Sequence, residues 1–271
     1  MFSFEQVTPH MKRIRGVGDV CMYLVEGDTS ALLIDTAYGV GDLKGYVEEI
    51  CHKPYEVLIT HGHADHANGI EQWKEVYMSH KDIELYKTRN SIEMRREMLK
   101  KKYADVMEWP DDMFWGEYTG TFKDVHEGMV FDLGGVHVEL FEAPGHTQGI
   151  VVPLIVEDRV IMFGDACGVA TFLFRPETST VAEYRTTLAK LNSLAPKFDR
   201  ILRQHGTCES ELSIVDENLE CCELILEGKD DHIPFEYLGY QAFIAKEIDD
   251  ATHSRKDGKS GNVFYSMEKI R

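Results

Sequence analysis

The stretch that decides the fold is Thr60-His61-Gly62-His63-Ala64-Asp65-His66-Ala67-Asn68-Gly69. It holds three histidines and one aspartate within six residues, and imidazole and carboxylate groups are common metal ligands. The stretch follows the apolar run 56–60, which predicts a buried strand. We therefore expect the ligands on a loop at the end of a strand, where one loop can serve two metal ions. The alternative is a polar surface turn that happens to be rich in histidine.

Three further potential ligands each follow a strand-like run elsewhere in the chain. Each of them alone is a weak signal, because a lone histidine after a turn is more often structural or solvated than a metal ligand. The ordered series of four strand ends, each with a ligand type, predicts a metal site. The three later positions are His146 after residues 139–145, Asp165 after residues 159–164, and His205 after residues 200–204.

The motif order resembles that of the metallo-β-lactamase-fold hydrolases over roughly residues 10–225. The motifs are His-x-His-x-Asp-His, Pro-Gly-His-Thr, Gly-Asp and Gln-His-Gly. The resemblance implies that one metal is held by His61, His63 and His146, and a second by Asp65, His66 and His205. It also implies that Asp165 bridges the two metals and that Asp35 steadies the ligand loop.

A ligand set of this kind predicts a binuclear hydrolase that uses a metal-bridging hydroxide. Two divalent ions lower the pKa of a shared water and stabilise negative charge that develops on a carbonyl or phosphoryl oxygen. Asp65 is the candidate catalytic residue, which orients the water or passes a proton, and the alternative is that it serves only as a ligand. We expect zinc, with iron or manganese as alternatives, because all three accept nitrogen and oxygen ligands. The expected substrate is a small ester, thioester or lactone.

The amino-acid composition argues against some classes of binding partner. The net charge is −18, with 47 acidic and 29 basic residues, which argues against nucleic acid as a partner. No apolar run is long enough for a transmembrane helix, so no membrane partner is expected. The six cysteines show no metal-binding or disulfide spacing, which favours a reduced, cytoplasmic protein. A small-molecule substrate is the expected partner, and a homodimer is left open.

The resemblance implies an α+β fold in which two sheets and outer helices form an αββα four-layer sandwich. We expect a single domain over residues 1–271 with a helical and aromatic insertion at about 81–125. The insertion is interpreted either as a lid over the site or as plain packing. Residues 229–271 are less patterned, and the run 258–266 is open between a closing hairpin and a tail that meets a partner chain. Arg175, in the loop after Asp165, is open between carboxylate binding and a surface ion pair, and we favour the ion pair.

Two other classes of function remain open from the sequence. One is an iron-dependent oxidoreductase of the same fold, similar to persulfide dioxygenases or diiron proteins. The other is a sensor or binding protein that kept the metals, and the full ligand set argues against it. The pocket residues do not decide among the hydrolase substrates, because one fold hosts many chemistries.

Overall fold

A computed structural model of the chain describes residues 2–249 and 254–271, which form two compact units. The first unit comprises Met1–Phe141, Ile155–Asp158 and Gln204–Gly206. The second unit comprises Glu142–Leu154, Arg159–Arg203 and Thr207–Arg271. Both units contain strands and helices, as the α+β class predicts. The single domain over residues 1–271 stays a prediction.

The first unit is built on a seven-stranded sheet in which the strands follow one another in chain order. Neighbouring strands from β1 to β4 are antiparallel, and those from β4 to β7 are parallel. A separate antiparallel pair, β8 and β9, follows. The strands are β1 Ser3–Thr8, β2 Met11–Arg15, β3 Cys21–Glu26, β4 Ala31–Ile34, β5 Tyr55–Leu58, β6 Glu75–Tyr77, β7 Thr121–Lys123, β8 Val130–Asp132 and β9 His137–Glu142.

The central strands of this sheet position the candidate site. Every residue of β4 is buried, which fits its continuous apolar sequence. Strands β4 and β5 are parallel, with Ile34 opposite Leu58. Because parallel strands end at the same edge of a sheet, the residues that follow β4 and β5 lie side by side. Asp35 and Thr60 therefore meet, and the Thr60 amide donates a hydrogen bond of 2.8 Å to the Asp35 carboxylate.

The four helices of the first unit are short: α1 Leu43–Ile50, α2 Ala64–Ala67, α3 Ile83–Thr88 and α4 Ile92–Leu99. Asp42 caps α1 by accepting a hydrogen bond from the Gly45 amide. The charged residues from 82 to 103 form two helices, because a break separates α3 from α4. Ser91 begins the second helix there by accepting a hydrogen bond from the Met94 amide.

The predicted insertion at about 81–125 therefore holds two helices, and its last residues form the edge strand β7. Its aromatic side chains pack into the core of the first unit. Phe114 and Tyr118 are buried in that core, and Trp109 packs against it. The Trp115 indole donates a hydrogen bond of 2.7 Å to the Gly41 carbonyl. These contacts favour packing as the role of the aromatic residues, and the lid stays a prediction.

The second unit contains two sheets and two long helices. One sheet has the order β14-β13-β11-β10 among the strands of this unit, and the other has the order β12-β17-β16-β15. The strands are β10 Val151–Ile155, β11 Val160–Met162, β12 Thr171–Leu173, β13 Arg200–Leu202, β14 Glu209–Ser210, β15 Ile233–Tyr237, β16 Tyr240–Ile244 and β17 Val263–Tyr265. The helices are α5 Val181–Ser193 and α6 Ile214–Glu227, and no helix among the described residues is long and apolar enough to cross a bilayer.

The C-terminal segment is more regular than its sequence suggests. Its hairpin is formed by β15 and β16 around the turn at Gly239, whose φ of 82° favours glycine. The run 258–266, left open between a closing hairpin and a tail, holds the single strand β17, which pairs with β16 on one side and runs parallel to β12 on the other. Pairing with β12, a strand nearly a hundred residues away, is not visible in local sequence.

The six cysteines are all buried, and they form no disulfide bonds with one another. Burial raises the pKa of Cys167 to about 12 and that of Cys221 to about 11. Because the thiolate is the reactive form, we expect almost no reaction of the native protein with dithionitrobenzoate at neutral pH. After denaturation all six thiols should react. Rapid reaction of any cysteine in the native protein would contradict the described packing.

Candidate metal centre

The carboxylate of Asp35 is the hub of the polar network in the first unit. Asp35 is fully buried and adopts a φ of 65°, a conformation that aspartate tolerates better than most residues. Besides the backbone amide of Thr60, the carboxylate accepts a hydrogen bond from the Thr60 hydroxyl, which lies 2.9 and 3.0 Å from the two carboxylate oxygens. It also accepts one from the side-chain amide of Gln204, at 2.9 Å. It also lies 2.8 Å from His66 Nδ1. A buried carboxylate with this many donors is satisfied and rigid.

Asp35 fixes how His66 presents its imidazole. The Asp35 oxygen accepts at this contact, so His66 Nδ1 donates and carries the proton. The lone pair is therefore on Nε2, which lies 3.2 Å from His205 Nε2. The Asp65 carboxylate lies 3.3 Å from the same His205 nitrogen. One ligand atom from each of these three residues lies within 4.8 Å of the others, so the group fits a divalent cation.

His61 and His63 form a second convergent pair in the same unit. The Thr60 hydroxyl donates to Asp35, so its oxygen can accept from His61 Nδ1 at 3.1 Å. That hydrogen bond leaves the lone pair of His61 on Nε2, which lies 3.1 Å from His63 Nδ1. Asp35 thus orients His66 directly and His61 through Thr60. Two nitrogen atoms at this distance fit a shared metal ion as well as a hydrogen bond between the rings.

The backbone of this stretch is held by close contacts and by one helical turn. The sequence predicts a loop, but α2 begins directly after His63. The His63 carbonyl accepts the Ala67 amide at 2.9 Å, so Asp65 and His66 lie on the helical turn. Gly62 comes so near to residue 82 that a Cβ would lie 2.6 Å from the Asp82 carbonyl oxygen. The Asp82 carboxylate accepts the Gly62 amide at 3.0 Å and fixes the loop.

The strand that precedes His205 belongs to the second unit, but residues Gln204–Gly206 belong to the first. The Cys21 amide donates to the Gln204 carbonyl at 2.7 Å, and Val20 forms an antiparallel bridge with His205. These contacts place His205 at the beginning of β3. Its side chain is 28% exposed, which leaves the imidazole accessible from solvent.

In the second unit, α5 supports both remaining candidate ligands, His146 and Asp165. The Thr187 hydroxyl donates to the Pro144 carbonyl at 2.6 Å and fixes the turn before His146. The Tyr184 hydroxyl donates to the Ala166 carbonyl at 2.8 Å and fixes the turn that carries Asp165. His146 Nε2 lies 3.5 Å from an Asp165 oxygen, and His146 Nδ1 lies 3.2 Å from the Phe172 carbonyl. Nδ1 therefore carries the proton, and the Nε2 lone pair faces the carboxylate side.

The histidines of the first unit determine the charge of Asp65. Burial raises the pKa of this carboxyl group, but the adjacent His66 and His205 outweigh burial and hold the pKa well below its usual value. Asp65 is therefore an ionised hydrogen-bond acceptor at neutral pH. An ionised carboxylate can bind a metal or orient a water molecule, but it is a poor proton donor.

The structure places five of the predicted ligands in the first unit and the other two in the second. The first unit brings Asp65, His66 and His205 together and pairs His61 with His63, and the second pairs His146 with Asp165. The assignment of all seven residues to one centre stays a prediction. Sequence reasoning missed Asp82 and Tyr184 and gave Gln204 no role. Of these three residues, only Gln204 has a signal in the sequence, which is its position directly before His205.

Comparison with known proteins identifies the family to which the sequence is similar. Residues 15–205 match the profile of the metallo-beta-lactamase superfamily. The chain is 23% identical over 201 residues to the acyl-coenzyme A thioesterase MBLAC2 of Homo sapiens, and the match covers 68% of this chain and 72% of that protein. It is 23% identical over 182 residues to the hydroxyacylglutathione hydrolase GloC of Haemophilus influenzae, covering 64% of this chain and 80% of that protein.

A solved structure has the same fold. The metallo-beta-lactamase from Pontibacter korlensis matches with a TM-score of 0.58 at 14% identity, and the match covers 81% of this chain and 98% of that chain. The likeness confirms the predicted metallo-β-lactamase-like fold. Since the family profile also spans well over half of the sequence, including the motifs around residues 61, 146, 165 and 205, the chain belongs to the metallo-beta-lactamase superfamily.

Proposed function

We propose that the protein is a binuclear metal-dependent hydrolase of small thioesters, esters or lactones. The observation that carries the proposal is the orientation of His66 by the buried Asp35, which directs an imidazole lone pair toward Asp65 and His205. Such support of a ligand by a carboxylate is typical of metal sites, because it fixes the tautomer of the ring. The remaining proposed ligands, which the resemblance of the motifs implies, are His61, His63, His146 and Asp165.

Among the three substrate classes we place thioesters first. MBLAC2 is named as an acyl-coenzyme A thioesterase, and GloC is named as a hydroxyacylglutathione hydrolase. Both names describe cleavage of an acyl group from a carrier, and a small acylated molecule is the proposed substrate here. The proposed metals are two zinc ions, with manganese or iron as alternatives.

Asp65 and Asp35 have different roles in the proposed hydrolysis. Two divalent ions, when bound, supply hydroxide near neutral pH and polarise the carbonyl oxygen of the substrate. Asp65, whose carboxyl pKa lies well below its usual value, accepts a hydrogen bond and orients the attacking water. Asp35 keeps His66 and His61 in the ligand tautomer throughout. No serine or cysteine nucleophile takes part in the proposed reaction.

The test of the proposal is a panel of thioesters, esters and lactones offered to protein loaded with zinc or manganese. We expect hydrolysis of at least one thioester, abolition by a chelator, and recovery when metal is returned. Asp165→Asn should lower the activity by at least about a hundredfold, because a neutral amide would be a much poorer metal ligand than the carboxylate. The exposed Asp112→Asn serves as the matched control and should leave the activity unchanged. Activity that survives Asp165→Asn or chelation would contradict the proposal.

A further inference from the structure

Arg175 of the second unit is a buried cation with an incomplete set of partners. Arg175 is only 7% exposed, so the ion pair favoured from the sequence is present with Glu177 but does not lie on the surface. The Glu177 carboxylate lies 4.0 Å from a terminal nitrogen of the guanidinium, which is too far for a hydrogen bond. Within the part of the chain that the structure describes, the buried Nε has no hydrogen-bond partner. A buried cation held this loosely is costly unless another group completes its pairing.

Aromatic rings surround this guanidinium. Its central carbon lies 6.0 Å from the centroid of Phe172 and 5.6 Å from that of Tyr237. These rings belong to a cluster on one face of the sheet β12-β17-β16-β15, with neighbouring centroids about 5–6 Å apart. The aromatic cluster consists of Phe172, Phe174, Phe235, Tyr237, Tyr240 and Phe264. Phe172, Phe235, Tyr237 and Tyr240 are only partly buried, so the face stays accessible.

The aromatic cluster adjoins a candidate metal ligand within the same unit. The Phe172 carbonyl accepts the hydrogen bond from His146 Nδ1, and the two rings lie 6.4 Å apart. Strand β12, which carries Phe172, also leads directly to Arg175. A molecule whose reacting bond lies near His146 could therefore extend along the rings toward the guanidinium.

We propose that Arg175 and the aromatic cluster bind a carboxylate group carried by the acyl part of the substrate. This inference rests on the proposed hydrolase function for the identity of the reacting bond. The planar guanidinium matches a carboxylate in a two-point interaction, and the adjacent rings provide contacts for the carbon chain. A single positive charge suits a monoanionic carboxylate better than a dianionic phosphate. The substrate carboxylate would take the place of Glu177 beside the guanidinium.

The alternative is that Arg175 only packs between rings, as a structural cation–π contact. The two roles differ in what Glu177 does. If Arg175 binds substrate, Glu177 competes for the same charge, and its removal should strengthen carboxylate binding. If Arg175 is structural, the loss of its carboxylate neighbour should lower stability and should confer no affinity for an added carboxylate.

The first experiment measures ligand binding, so that it needs no catalysis. Phenylacetate and its uncharged counterpart phenylacetamide are titrated calorimetrically into the protein of residues 1–271 after treatment with a chelator, which excludes binding of the acid to a metal. We expect the acid to bind about tenfold more tightly than the amide, since the charge-assisted pair adds to the same ring contacts. Equal affinity for the two probes, or no binding of either, would overturn the proposal.

Three variants test whether Arg175 and Glu177 determine the preference for phenylacetate over phenylacetamide. Arg175→Met should abolish the preference for the acid, and Arg175→Lys should keep only a part of it because the ammonium lacks the planar fork. Glu177→Gln should raise the affinity for phenylacetate severalfold while leaving the affinity for phenylacetamide unchanged. Should Arg175→Met fail to fold, the Lys and Gln variants still decide the question. An unchanged preference for the acid in Arg175→Lys, together with an unchanged affinity for phenylacetate in Glu177→Gln, would overturn the proposal.

A kinetic comparison separates this inference from the proposed function. Metal-loaded protein is given succinyl and butyryl thioesters of the same thiol, which differ only in a terminal carboxylate. We expect a lower KM for the succinyl thioester, and Arg175→Lys should raise that KM by a larger factor than it raises the butyryl KM. No hydrolysis of either thioester, with binding discrimination intact, would reject the hydrolase and keep the carboxylate site. Equal KM values for the two thioesters, with equal affinities for phenylacetate and phenylacetamide, would reject the carboxylate site alone.

Discussion

Replacing His205 by alanine is expected to lower kcat/KM for the responsive substrate on the order of a thousandfold. Residues that only support metal ligands typically contribute about 10–100-fold, and the loss of a ligand should exceed that range. Asp65 and His66 would remain, but the group of three would lose its most accessible member. Because the His205 side chain is partly exposed, its removal should change the melting temperature of the metal-free protein little.

The readouts for His205→Ala are steady-state kinetics and metal content measured on the same preparation. We expect the metal content to fall from about two ions per chain to about one. The matched control is His52→Ala, which removes an exposed histidine of the same unit and should change neither quantity. Full activity with full metal content in His205→Ala would show that His205 is not a ligand.

Replacing Asp35 by asparagine is expected to weaken metal binding by about 10–100-fold and to lower the free energy of unfolding by about 2–3 kcal/mol. The amide group would turn an NH₂ donor toward groups that now donate to the carboxylate, which are Thr60, His66 and Gln204. His66 would lose the acceptor that fixes its tautomer. Asparagine tolerates the positive φ of this position, so the backbone itself should not be strained.

The Asp35→Asn experiment combines chemical denaturation of the metal-free protein with competitive zinc titration. Asp112→Asn makes the same chemical change at an exposed position and should leave both measurements unaltered. Asp35→Ala, which also removes the aspartate's tolerance of positive φ, should be less stable than Asp35→Asn. If Asp35→Asn binds zinc as tightly as the wild type, the carboxylate does not orient the ligands.

Local sequence was sufficient to locate the candidate ligands because each one follows a strand and is of a metal-binding type. The stretch from His61 to His66 combined both signals, and the strand before it, β5, is where the apolar run predicts it. The strands β3 and β4 were equally visible, since their apolar residues are almost continuous. The α+β class and the family fold followed from the same features.

What could not be predicted depends on contacts between residues far apart in the chain. Gln204 and Asp35 are 169 positions apart, and nothing around Gln204 reveals that its amide donates to that carboxylate. Asp82 resembles the start of a charged helix, although it fixes Gly62. The sequence favours a surface position for Arg175, but the fold places the rings of Phe172 and Tyr237 beside its guanidinium. Side-chain partners of this kind arise from tertiary packing, which local patterns do not encode.

The central claim, that this chain holds a two-metal hydrolytic centre, is tested most directly by metal analysis of protein purified without added metal. Elemental analysis by mass spectrometry, normalised to protein concentration, gives both identity and stoichiometry. The proposal predicts about two zinc or manganese ions per chain, falling toward one in His205→Ala. A single iron per chain would contradict the proposal in favour of an oxidoreductase, and no bound metal even after incubation with zinc would show that the ligand assignment is wrong.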